Sequence, residues 1–116
     1  MTVTPWGESS ELRARRLRPG PGHPRADVAA NQRERLLGAM VAAVAEHGYE
    51  ATRVADLLAV AGVSRNTFYR HFDNKLDCFT TAVDDSVALA MAATAEAYAA
   101  GESWDSALRG AFEAFV

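Results

Sequence analysis

The chain has 116 residues, enough for one domain with a modest core, and 49% of them are hydrophobic against 23% charged. A single cysteine excludes an internal disulfide framework, no apolar run reaches membrane-spanning length, and the N-terminus lacks a signal-peptide core, so a cytoplasmic protein away from membranes is expected. The net charge of −3 hides an asymmetry: residues 1–75 hold eleven basic and eight acidic side chains, whereas 76–116 hold one and seven, and a basic half points to nucleic acid.

In chain order, residues 1–30 read as a disordered basic arm. The first 26 hold all four prolines, three of the eight glycines, and Arg13, Arg15, Arg16, Arg18 and Arg25, with no periodic apolar face. These arginines make either a solubilising tail or an arm that follows the minor groove of DNA. A first helix is expected over 32–47. Asn31 would cap it with Glu34 at capping-box spacing, Leu36, Leu37, Met40, Val41 and Val44 make its apolar face, and Gly48 ends it. A second helix starts after Thr52 and buries Val54, Leu57, Leu58 and Ala61. Gly62 makes the turn. Ser64 caps a third helix that runs to about Phe72 and buries Val63, Phe68 and Phe72. Asn74 or Asp73 caps a long fourth helix, with Asp77 favourable in its first turn. Leu76, Phe79, Val83, Val87, Ala90 and Met91 are expected on its inner face. Ser103 caps a fifth helix through Trp104, Leu108, Ala111, Phe112 and Phe115. No segment alternates as a strand, so the fold class is all-α.

The second and third helices make a helix-turn-helix, and the third has two faces. Phe68 and Phe72, four apart, point to the core. Ser64, Arg65, Asn66, Thr67, Tyr69, Arg70 and His71 are left to the outside. In the major groove an arginine pairs with guanine and an asparagine with adenine, and the N-terminal residues of the reading helix meet the base edges. Arg65, Asn66 and Thr67 are therefore the candidates for base contact. Tyr69 and His71 suit phosphates, although a half-buried core tyrosine and a helix C-terminal charge are the plain structural readings of the two. Thr52 as a cap, with the free N–H groups beside it, makes a phosphate site, and Lys75 adds a cation at the start of the fourth helix.

The run GYEATRVADLLAVAGVSRNTFYRHFDNK resembles the signature of the TetR family of bacterial transcriptional regulators, and the likeness covers about Arg33–Phe79. The resemblance implies DNA contacts at Thr52, Ser64, Arg65, Asn66, Thr67, Tyr69, His71 and Lys75. It implies a helix-turn-helix DNA-binding domain over 31–74 and, over 75–116, a truncated helical regulatory and dimerisation domain that opens with a long connecting helix. It further implies a homodimer on double-stranded DNA, acting mostly as a repressor of a palindromic operator, with a small-molecule effector. Three departures stand out: Leu58 where a smaller residue is usual, Leu76 where an acid is common after Lys75, and a chain shorter than the family's. The last raises a second reading, a truncated subunit that pairs with a full-length relative through exposed Phe112 and Phe115.

An enzyme is not expected, because no paired carboxylates, nucleophile–base set or phosphate loop is present. His23, His47, His71 and Cys78 lack metal-ligand spacing, so neither a metal nor a cofactor is assigned. Cys78 reads as a small buried residue rather than a redox sensor. Tyr98 and Trp104 read as core aromatics before effector-pocket lining.

Overall fold

The computed structural model describes residues 2–17 and 22–99. Among these described residues four helices carry the fold: α1 (Arg25–His47), α2 (Val54–Ala61), α3 (Arg65–His71) and α4 (Lys75–Ala99). A short antiparallel hairpin, β1 (Val3–Thr4) and β2 (Gly7–Glu8), precedes them, with a single 3-10 turn at Arg13–Arg15. The expected fifth helix, with Trp104, Phe112 and Phe115, lies outside the described residues.

Helix boundaries follow local chemistry. α1 starts well before its apolar pattern suggests, behind Pro24, with Asp27 in its first turn. Proline favours a helix entrance because its φ is already set and it has no N–H to satisfy. Asn31 is therefore inside the helix and caps nothing. Its side chain instead takes the Leu17 N–H at 3.2 Å and donates to the Arg15 carbonyl at 3.0 Å. Gly48 ends α1 at φ 81°, ψ 162°, a region closed to other residues. Gly62 ends α2 in the left-handed conformation, φ 69°, and returns its N–H to Leu58. Asn74 is the cap of α4: its Oδ1 accepts the Asp77 N–H at 2.8 Å, and Asp77 accepts the Asp73 N–H at 2.8 Å.

The core forms where α1 crosses the other helices. Leu36, Leu37 and Met40 of α1, Leu57 and Ala61 of α2, Phe68 of α3 and Cys78 of α4 are fully buried, with Phe72 and Ala82 at its edge. Phe68 and Phe72 stack tilted, 5.7 Å between centroids. The apolar faces read for the first three helices are the ones that pack. α4 differs: Leu76, Val83, Val87 and Met91 are exposed, and the packed stripe is Cys78, Phe79 and Ala82. The helix is apolar on more than one side, so periodicity alone does not separate the stripe that meets α1 from the one left open.

The N-terminal segment, read as disordered, is folded over 2–17. Leu12 is completely buried and joins the main core. It seats on Gly38, where a Cβ would lie 3.0 Å from the Leu12 methyl Cδ1. Thr4 is also buried, its hydroxyl donated to the Gly7 carbonyl at 2.7 Å. Arg15 closes the loop by donating to the Trp6 carbonyl at 2.8 Å. A proline-rich composition suggested disorder, but one leucine fitting a glycine notch on α1 supplies the missing burial.

Candidate nucleic-acid interface

α3 is a seven-residue helix, too short to stand without its neighbours. Ser64 fixes its start: its Oγ accepts the Thr67 N–H at 3.1 Å and lies 3.0 Å from the Thr67 hydroxyl. Phe68, fully buried, anchors the inner side and meets Tyr69 edge-on at 5.0 Å. The consequence is an outer surface of Arg65, Asn66, Tyr69 and Arg70, all exposed, with Thr67 half-buried beside them. Tyr69 is 49% exposed, so one side of its ring packs on Phe68 and the other faces outward. A rigid, inner-anchored helix with arginine and asparagine at its first outward positions has the donors that base edges require.

A second cationic surface adjoins α3. His23, Arg25, Gln32, Arg70 and His71 give the polar lining of a groove of about 840 Å³, which no carboxylate lines among the described residues. His71 is half-buried and its Nε2 lies 3.2 Å from the Gln32 Oε1. Burial, then the Arg33 and Arg70 guanidiniums, lower its pKa from the ordinary histidine value, so it is neutral in the free protein at neutral pH.

Two of the expected phosphate positions are built differently. Thr52 is 1% exposed and does not cap α2; its hydroxyl donates to the Gly48 carbonyl at 2.8 Å. The residue at the cap position is Arg53, whose N–H is accepted by Asp56 at 3.0 Å. The Thr52 hydroxyl is thus committed to holding the α1–α2 turn, because β-branched threonine buried in a turn finds a carbonyl within reach. Lys75 is half-buried, and its ammonium donates to the carbonyls of Tyr49 at 3.0 Å and Thr52 at 3.1 Å. It also sits 4.1 Å over the Tyr49 ring. One ammonium therefore ties the turn after α1 to the start of α4, with a single N–H left over.

Arg35 is not singled out by the sequence pattern, yet it is central to the site. It is 3% exposed, and its Nη1 donates to the carbonyls of Ala61 and Gly62 while Nε donates to Asn31 at 3.0 Å. It braces the α2–α3 turn from α1. The available signal was a charge inside the apolar stripe of α1, directly before Leu36 and Leu37. Cys78 is fully buried, and burial, then Asp77, push its thiol up to about 12, so it is protonated and unreactive at neutral pH. Among the described residues no helix is long and apolar enough to cross a membrane.

Residues 36–82 match the family model described as bacterial regulatory proteins, tetR family. No curated protein and no solved structure matches the chain.

Proposed function

We propose, from the match of residues 36–82 to the tetR family of bacterial regulatory proteins, that this chain is a regulator of that kind and represses transcription by binding a palindromic operator. The family is one of DNA-binding transcription regulators, so the finer proposal concerns sign, site and residues. Arg65, Asn66 and Thr67 read bases; Ser64, Tyr69 and His71 position the helix on phosphates. Thr52 and Lys75 act one step behind, by holding the turn on which α2 and α4 start. The observation that supports this reading is the outer face of α3: four exposed polar or aromatic side chains on a helix pinned by a buried phenylalanine. A repressor of this kind acts in the cytoplasm as a homodimer, and a small-molecule effector would regulate it. The exposed Val83, Val87, Leu89 and Met91 of α4 favour a second protein chain on that helix. A related chain in place of an identical copy is the second reading.

The test is a double replacement, Arg65→Ala with Tyr69→Ala. Both side chains are exposed, so helicity by circular dichroism should be unchanged while operator binding is abolished. A folded double variant that binds the operator like the wild type would remove α3 as the reading element.

A further inference from the structure

Beside the α2–α3 turn lies a cavity of about 360 Å³ whose polar lining is Arg13, Arg16, Gln32, Arg35, Ser64 and Thr67. Three guanidiniums line it and no carboxylate does. Among the described residues the ion pairs are Arg33 with Asp85 and His47 with Glu46, so none of the three has an acidic partner there. Arg35 is almost wholly buried, at 3% exposure, and it is fixed by Ala61, Gly62 and Asn31. Burial, then the nearby Arg16, lower its pKa from the ordinary arginine value.

The backbone that carries the other two arginines is held in place by the fold. Leu12, the residue before Arg13, is locked in the core, and Asn31 grips the Arg15 carbonyl and the Leu17 N–H on the other side. The Arg13 stem lies against Gly62, where a Cβ would come within 2.6 Å of its Cγ. The N-terminal segment thus carries Arg13 and Arg16 to the lining of this cavity, beside the start of α3. Planar guanidinium forks grouped around one opening are matched by tetrahedral oxyanions, and phosphate accepts such forks in pairs.

We infer that this cavity holds a phosphate group supplied by the DNA backbone beside α3, so that residues 2–17 form a docked phosphate clamp and not a free arm. The inference rests on the DNA-binding function proposed above. The clamp adds affinity without sequence preference, since phosphates carry no base information.

The experiment is equilibrium binding of a labelled duplex by the full chain across a salt series, for the wild type and for Arg13→Gln with Arg16→Gln. Glutamine keeps much of the aliphatic stem that packs on Gly62, and matched melting curves verify the fold. The slope of log K against log salt should become shallower by about 0.9 for each phosphate that the variant no longer neutralises, with the base preference of selected sites unchanged. A variant slope equal to that of a wild type that binds DNA overturns the clamp alone. A wild type that binds no duplex overturns the clamp together with the function it rests on. In a second arm, inorganic phosphate is titrated without DNA while the arginine side-chain resonances are followed. Saturable binding that disappears in the variant, with an unchanged DNA slope, overturns the backbone source and assigns the cavity to a free phosphate compound.

Discussion

Thr52 and His71, two residues expected at the same surface, take different tasks. The Thr52 hydroxyl is buried and has one carbonyl partner, so its removal should be felt in stability and not in DNA affinity. Thr52→Val leaves the Gly48 carbonyl without its donor, and should lower stability by about 1 kcal/mol. A melting curve measures this, and a normal melting temperature with weakened DNA binding would return Thr52 to the interface. His71 yields a pH dependence with a definite sign. Its pKa is lowered in the free fold, by burial first and then by Arg33 and Arg70. The unfolded chain takes up the proton more readily, so this contribution to stability is complete above about 6.5 and declines as pH falls below that value. A DNA phosphate beside the ring acts in the opposite direction, because it favours the protonated form. DNA affinity should therefore rise as pH falls from neutrality, and His71→Gln should flatten that rise. Parallel pH profiles for the two proteins would exclude a phosphate contact there. The α3 residues were legible in the sequence because Ser64, Phe68 and Phe72 act locally, within one or two turns. The intramolecular partners of Thr52 and Lys75 were not legible, and Thr52 was read as the cap that Arg53 takes, because those partners, at Gly48 and Tyr49, are carbonyls, which carry no side-chain signal.

Elements that depend on one long-range contact were the ones the sequence did not disclose. α2 and α3 are punctuated by Gly62 and Ser64, and their boundaries follow from those residues. The N-terminal segment has no periodic face, yet Leu12 finds the notch at Gly38, far away along the chain. Its docking has a direct consequence. Leu12→Ala empties a fully buried site and should destabilise the segment by about 2–5 kcal/mol. Hydrogen exchange should then accelerate at the Ala14 and Arg15 amides, which bond the Glu11 and Leu12 carbonyls, while α1 retains its protection. Unchanged exchange at those amides would mean that Leu12 does not hold the segment. Gly38→Ala attacks the same notch from α1. The gain in helix propensity is about 1 kcal/mol, whereas crowding a packed core costs about 1–3 kcal/mol, so a net loss of stability is expected on melting. α4 shows the converse ambiguity: its apolar residues were visible, but which stripe packs depends on where α1 lies, and Cys78, Phe79 and Ala82 are the ones that meet the core.

At the scale of the whole molecule, charge and oligomeric state decide how the reading head is used. The net charge of −3 would repel DNA if it were spread evenly. It is not: the groove at His23, Arg25, Arg70 and His71 and the cavity at Arg13, Arg16 and Arg35 both lack carboxylates. DNA affinity should consequently fall steeply with salt, and overall pI, about 5.5, is a poor guide to it. A palindromic operator requires two heads about 34 Å apart or a multiple of that distance, so sedimentation with operator DNA should show two chains per duplex. A single bound chain would set aside the homodimer while leaving the reading of one half-site intact. The most direct measurement is selection of bound sites from random duplex DNA, run with the wild type, Arg65→Ala and Asn66→Ala. The wild type should enrich a two-fold motif, and each variant should lose information at its own position in both half-sites. Enrichment of no motif, or of one identical motif by all three proteins, would contradict base reading by the outer face of α3.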